Sequence, residues 1–483
     1  MEFLDKLDGW VWGPVMMVLI IGCGILLTVR SGNTQKRIPL ALKYAVNNEE
    51  GGEGDVSSFG ALTTALAATV GTGNIVGVAT AIMAGGPGAL FWMEFAAFFG
   101  IATKYAEGLL AVKYRHVKED GTILGGPFYY IESGMGPQWK WLAKLFALFG
   151  AMAGAMGIGT STQVNSIVSA VNQLFDANNE HIAFGNYSWA TVIAALVVTV
   201  ASIAVIIGGI QRIADVASKI VPAMMVLYVV VGILVFLYNI KQFPHAIVEI
   251  VAGAFGMRAA AGGAFGAFML ALQKGVARGI FSNEAGLGSA PIAAAAAQTK
   301  ECVRQGLVSS TGTFLDTIVI CTMTGLTIVM TGADEWAHEQ GVAGVAVTIR
   351  AFGEGLPWPN FMGAVVLSLC LALFAFTTIL GWDYYAERCF DYLTNGNKTA
   401  LKIYRWFYIL MVAIGPFLAL DIVWTWADIT NGLMAFPNII ALFALSGVVA
   451  KETKDFWRRK DSGEYDDGLA AAKAAKEARK AAK

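Results

Sequence analysis

Thr69-Val70-Gly71-Thr72-Gly73-Asn74 interrupts a stretch that is otherwise long and apolar enough to cross a membrane. A second interruption, Gly275-Val276-Ala277-Arg278-Gly279-Ile280-Phe281-Ser282-Asn283-Glu284-Ala285-Gly286, stands in the other half of the chain. Glycine is a poor helix former, and unwound backbone at membrane depth survives only where it is buried in protein or lines a cavity. A matched pair of broken membrane helices, one in each half, is the sequence pattern of a central binding site in a secondary transporter.

Composition agrees. The 483 residues are 56% hydrophobic and only 14% charged, against about 25% charged in an ordinary soluble domain. Mean hydropathy is +0.59. A polytopic membrane protein follows. The net charge of −1 points to neither a nucleic-acid partner nor an acidic one. Cys23, Cys302, Cys321, Cys370 and Cys389 are dispersed without metal spacing and read as small core residues. His116, His181, His245 and His338 fall in polar connections, which argues against an intramembrane metal or haem. The first apolar run, about Val11 to Val29, has no cleavage pattern after it and reads as a retained helix.

At about 20 apolar residues per span, candidate membrane helices fall near 14–30, 57–85, 87–112, 142–173, 188–208, 213–238, 264–298, 305–330, 360–392, 402–418 and 421–450, eleven in all. Val342–Phe352 is amphipathic and should lie over a mouth of the protein. From Lys451 the chain turns polar, and Gly468–Lys483 is Ala-, Lys- and Glu-rich, a solvated tail. Basic residues in alternate short connections put the C-terminus in the cytoplasm and the N-terminus outside. If residues 1–56 hold an extra helix and its loop, two sets of five remain, 57–240 and 241–450, ahead of a tail at 451–483. Each set begins with its broken helix. Five is odd, so the second set is inverted relative to the first.

A broken helix frees N–H groups where it restarts and carbonyls where it stops. The restart after Gly71-Thr72-Gly73 suits a carboxylate, and the stop before Thr69 suits Na⁺ or an ammonium. Ala277–Ile280 should offer the same at the second break. Gly73 and Gly77 also have the spacing of a helix-packing contact. The Asn74 side chain either ligates a cation or ties the half-helices together. Thr377 and Thr378 bring two hydroxyls to one span, although such hydroxyls often bond the preceding turn. Trp382 shares a helix face with Thr378 and would close a small pocket. Gln163, beside Ser161 and Thr162, should face a cavity or a partner helix.

Ionisable residues within spans are Glu94, Lys104, Glu107, Arg278, Glu284, Asp316 and Asp383. Lys104 and Glu107 are spaced to pair. Arg278 with Glu284 suggests a gate or a tie, and Asp383 with Arg388 an inner gate or a snorkelling pair. A structural role is the favoured reading for most of them.

With Gly71–Ala81, Gly85–Ala89, Gly125–Tyr130, Arg278–Gly288 and Thr378–Trp382 set out, the chain closely resembles the alanine or glycine:cation symporters, also called sodium:alanine symporters. The likeness spans most of residues 10 to 455. It implies a leucine-transporter-like fold, all-α, with ten core helices plus one. It also implies alternating access and Na⁺-coupled uptake of alanine or glycine, with H⁺ as the coupling ion in some members. By position in that family, Thr72, Gly73 and Asn74 would hold the substrate carboxylate. Gln163 and the carbonyls near Ala277–Ile280 would face the amine, and Thr378 and Trp382 would shape the side-chain pocket. Na⁺ would sit among the carbonyls of Ala67, Val70 and Phe374 and the hydroxyls of Thr377 and Thr378. No enzyme dyad or symmetric channel ring competes with this reading. A non-transporting amino-acid sensor remains an alternative.

Overall fold

The computed structural model describes residues 2–47, 49, 52–118, 121–176, 180–257 and 263–469. The Ala/Lys-rich tail past Leu469 therefore lies outside the described residues. Helices dominate, because backbone in lipid must satisfy its own hydrogen bonds.

An amphipathic α1 (Glu2–Val11) precedes α2 (Pro14–Arg30), which starts on a proline whose missing N–H costs nothing there. A short α3 (Ile38–Val46) follows. α4 (Ser58–Thr69) is started by Ser57, whose hydroxyl accepts from the Gly60 N–H at 3.0 Å. The chain then leaves helical geometry at Val70, passes a wide π-type turn at Gly73–Gly77, and resumes as α5 (Val78–Gly85), bent by 50°. The long α6 (Gly88–Lys113) packs against much of the rest. A small hairpin, β1 (His116–Val117) with β2 (Ile123–Leu124), leads to α7 (Pro127–Tyr129), α8 (Lys140–Met156) and α9 (Ser161–Phe175). The expected span at 142–173 is thus interrupted at Gly157–Thr160, just before Gln163. A second hairpin, β3 (Ile182–Phe184) with β4 (Tyr187–Ser188), precedes α10 (Trp189–Ile206) and α11 (Gly209–Tyr238).

α12 (Phe243–Ala254) lies before α13 (Ala264–Asn283), which ends at Glu284 in the left-handed region, φ 57°. Gly286 and Gly288 also take positive φ, 93° and 84°, and the chain restarts as α14 (Ala290–Ala295). The second break therefore lies at 284–289. The expectation of open carbonyls at Ala277–Ile280 is corrected, since α13 is continuous there and the Ile280 carbonyl accepts from Glu284 N–H at 2.8 Å.

α15 (Cys302–Thr313) continues through a π-type segment, Phe314–Cys321, into α16 (Thr322–Met330). The short α17 (Ala333–Gln340) and α18 (Val345–Glu354) follow, the latter being the amphipathic piece expected at Val342–Phe352. α19 (Asn360–Leu393), α20 (Lys398–Ile414) and α21 (Leu420–Asp461) complete the chain. α21 runs past Lys451, and its end is held rather than free: Arg459 grips Glu301 at 2.7 and 2.9 Å.

Among the described residues nine stretches are long and apolar enough to cross a membrane, or ten with the bent α4–α5 pair taken as one. The expected span at 264–298 is not among them, because Gln273, Lys274 and Arg278 dilute its apolar character. On one face, Glu53 and Val56 bridge to Thr299 and Ala297. Arg115, past the end of α6, donates to the carbonyls of Glu53, Ala295, Ala297 and Thr299 at 2.9–3.1 Å. The start of α4 is thereby joined to the end of α14. One broken helix leaves that face and the other arrives at it, so the two run in opposite senses.

Candidate functional site

The first break is built on close approach. A Cβ at Gly71 would overlap the Thr378 hydroxyl and press on the Gln163 carbonyl oxygen, so only glycine fits between α19 and α9. With Gly71 in place, α19 lies directly against the stop of α4. The Thr378 hydroxyl reaches the carbonyls of Ala67 and Phe374, each at 3.0 Å, and of Val70 at 3.4 Å. Thr377 reaches the same Phe374 carbonyl at 3.0 Å, with Leu373 O at 3.1 Å and the Met224 sulfur at 3.7 Å. The Thr378 hydroxyl has one proton for three carbonyls, and Thr377 adds a donor only at Phe374, so lone pairs are left over at Ala67 and Val70. The surplus is a nest of hard oxygen lone pairs, which is the ligand chemistry of a small hard cation. Ala67, Val70, Phe374, Thr377 and Thr378 are buried, shielding that nest from water.

Asn74 ties the half-helices together. Its Oδ1 accepts from the Gly71 N–H at 2.8 Å, and its Nδ2 donates to Asp316 Oδ1 at 2.7 Å and to the Asp316 carbonyl at 3.1 Å. The Asn74 carbonyl accepts from Thr324 at 2.7 Å. Gln163 stands beside the first break: its Oε1 accepts from the Thr72 N–H at 3.2 Å while its Nε2 donates to Ile158 O at 2.9 Å. The Thr72 hydroxyl is buried and has no hydrogen-bond partner among the described residues. Gly73 packs against Ser282, where a Cβ would come within 3.1 Å of its Cα.

The second break is organised by carboxylates. Glu284 Oε1 accepts from the Trp382 indole at 2.8 Å, and Oε2 from Ser289. Trp382 is fully buried, one turn from Thr378, so its polar edge is committed to Glu284. Ser282 donates to Asp316 Oδ2 at 2.8 Å, which links α13 to the residue that also holds Asn74. Glu107 Oε1 takes the Gly286 N–H at 3.1 Å and the Asn438 amide at 2.7 Å. Ile280 is buried beside the break and Ala277 half-buried on α13.

Several pairings expected from spacing are replaced. Arg278 does not meet Glu284; it grips Asp428 of α21 with two bonds of 2.9 and 2.8 Å. Its guanidinium also lies over the rings of Phe281 and Trp424, which stack at 5.3 Å. Spacing on α6 brought Lys104 and Glu107 to one face, yet the Lys104 ammonium makes no hydrogen bond among the described residues. Arg388 pairs with Glu387 at 3.1 Å and lies 3.6 Å from Asp391, rather than pairing with Asp383. Asp428 and Arg115 were missed by the sequence reading. Asp428 carried a signal, as the one acid between Ile422 and Ala450.

Thr72, Asn74, Gln163, Thr378 and Trp382 are each at most 1% exposed, so the centre is closed to both faces. Arg278 with Asp428 lies on the side of α13 before the break. The Arg115 clamp lies beyond α14, after it. The buried centre thus lies between two such ties.

Comparison with known proteins concerns the chain as a whole. Residues 1–469 match the model of the sodium:alanine symporter family. An uncharacterized transporter of Haemophilus influenzae is 53% identical over 96% of this chain and 98% of its own. The sodium/alanine symporter AgcS of Methanococcus maripaludis is 45% identical, covering 94% of this chain and 97% of its own. Among solved structures, MhsT in complex with L-phenylalanine superposes with a TM-score of 0.55 at 12% identity, over 83% of this chain and 99% of that one. At that identity the likeness concerns the fold, which is leucine-transporter-like.

Proposed function

Because the chain belongs to the sodium:alanine symporter family, and is therefore a multi-pass membrane transporter of amino acids rather than an enzyme, we propose that it carries alanine or glycine into the cell together with Na⁺. The observation that carries this reading is the oxygen nest at the first break, where the Ala67, Val70 and Phe374 carbonyls converge on Thr378. Na⁺ held there by Ala67, Val70, Phe374, Thr377 and Thr378 would pin α19 to the stop of α4. The amino acid would lie alongside, its carboxylate toward Thr72, Gly73 and Asn74. Gln163 would have to release the Thr72 N–H for that carboxylate to take it. The methyl or hydrogen would lie against Thr378 and Trp382.

In this reading the protein sits in the plasma membrane with its N-terminus outside and its C-terminus in the cytoplasm. Residues 57–240 and 241–450 form the two inverted halves, and the Arg115 clamp belongs to the cytoplasmic gate. The antiparallel run of the broken helices supports this division. A proton-coupled cycle is the second reading, favoured by the buried carboxylates of Glu107, Glu284 and Asp316.

Uptake of labelled alanine and glycine into proteoliposomes tests the proposal, with an inward Na⁺ gradient set against an equal K⁺ gradient. Accumulation only with Na⁺ is the expected result. Accumulation driven by an inward proton gradient alone would overturn Na⁺ in favour of H⁺. Binding without flux under any gradient would overturn transport in favour of a sensor.

A further inference from the structure

The centre of this molecule gathers more acidic side chains than basic ones. Glu107, Glu284 and Asp316 are all buried, and so is Lys104. Each of the three carboxyl groups accepts from N–H donors at one oxygen. These are the Trp382 indole on Glu284, the Asn74 amide on Asp316, and the Gly286 backbone with the Asn438 amide on Glu107. The amide orientations are fixed independently: Asn74 Oδ1 takes the Gly71 N–H, and Asn438 Nδ2 donates to the Gly286 carbonyl at 2.9 Å. Glu94, also on α6, adds a further acid in the field of Asp316.

Lys104 is the basic side chain set among them. Lys104 lines a cavity of about 10 Å³ with Leu62, Thr69, Ala290, Gln305 and Ser309, room for about a single water. It therefore lies between α4, the first half of one broken helix, and α14, the second half of the other. Neither its Nζ nor Glu107 Oε2 nor Gln305 Oε1 has a hydrogen-bond partner among the described residues. Glu107, Glu284 and Asp316 act on it through space. A buried cation without direct bonds contributes little as a tie; its effect is its charge. Buried charge of one sign must be balanced, and here a single lysine is set against three buried carboxyl groups.

We propose that Lys104 is the tethered cation of the transport core: it balances one of the three carboxylates in place of a coupling ion and so sets how many cations accompany each amino acid. The inference rests on the cation-coupled reading above and assigns its stoichiometry to one side chain. Removing the charge vacates one cation equivalent, which Na⁺ or H⁺ from solution then fills.

The test is the ratio of charge moved to amino acid moved in proteoliposomes, for the parent, Lys104→Met, Lys104→Arg and the double variant Lys104→Met with Glu107→Gln. Lys104→Met is expected to raise the ratio by about one elementary charge per alanine and to steepen the cation dependence. Lys104→Arg keeps the parent's ratio, and the double variant, which removes one charge of each sign, returns to it. A Lys104→Met ratio equal to the parent's, or a double variant indistinguishable from Lys104→Met, overturns the inference. If Lys104→Met is folded but carries nothing, cation-dependent thermal stabilisation by alanine replaces flux as the readout. A dependence as shallow as the parent's then overturns it, and a steeper one supports it. The parent separates the two claims: no cation-driven uptake by the parent sinks the symport reading, whereas a coupled parent with an unchanged variant sinks only this one.

Discussion

The two breaks solve one problem, leaving helical geometry inside a membrane, in different ways. At the first, glycine removes side chains so that α19 and α9 can touch backbone, and neutral groups satisfy it: Asn74, Gln163 and Thr378. At the second, positive φ at Glu284, Gly286 and Gly288 turns the chain, and carboxylates collect the freed donors. The first break therefore presents oxygen lone pairs with no fixed charge, a place for a cation to come and go. The second presents carboxyl groups already bonded to its own turn and to Trp382, a scaffold that holds it. Asp316 joins them, accepting from Asn74 on one side and Ser282 on the other.

That contrast can be broken most directly at Gly71. Gly71→Ala drives a methyl into Thr378 and Gln163, and overpacking of about 1–3 kcal/mol at a point that must also bind cargo should cut uptake on the order of a hundredfold. Initial-rate uptake checks it, and near-normal transport would mean that α19 can stand away from the break. Thr378→Val removes the hydroxyl but keeps the shape. It should raise the Na⁺ needed for half-maximal uptake about tenfold, the equivalent of about 1.5 kcal/mol. Thr377→Val should do less, because its hydroxyl reaches only one of the three carbonyls around Thr378. Equal shifts would make the two hydroxyls equal ligands of the ion.

Trp382→Phe leaves the ring and strips the donor from Glu284. A buried acceptor left open costs about 1–3 kcal/mol, so thermal unfolding should fall by several degrees with Na⁺ dependence little changed. A large shift in Na⁺ dependence would move the second break into the ion site. The smallest effect is expected of Arg278→Lys, which keeps the charge but loses the two-pronged grip on Asp428. A few-fold rise in KM with unchanged ion dependence is the expected outcome, measured by uptake over a range of alanine concentrations.

How much of this was legible beforehand follows from the range of the interactions. Apolar runs and glycine interruptions are local, so most spans, the first break and the convergence of Ala67, Val70, Phe374 and Thr378 could be anticipated from residues and family resemblance. The second interruption, Gly275–Gly286, reaches into the observed turn at 284–289, but its open carbonyls were expected several residues too early, at Ala277–Ile280. Gly275 and Gly279 drew the eye there, but they serve packing. A Cβ at Gly275 would strike the Ala89 carbonyl and one at Gly279 would crowd Met93, both on α6. The turn instead follows backbone dihedrals at Glu284 that composition does not encode. Arg278 was visible as a buried charge, but its partner Asp428 is 150 residues away, and spacing along a helix nominates only near neighbours. The same holds for Lys104, whose helical neighbour Glu107 turned instead to Asn438, and for Arg115, whose partners are backbone carbonyls on two distant segments.

The most direct test of the division of labour between the breaks is calorimetric titration of the purified protein with alanine, in Na⁺ and in equimolar K⁺, for the parent and Thr378→Val. The account predicts binding in Na⁺, little or none in K⁺, and a Thr378→Val protein that recovers affinity only at much higher Na⁺. Equal alanine affinity in Na⁺ and K⁺, unaltered by Thr378→Val, would contradict it.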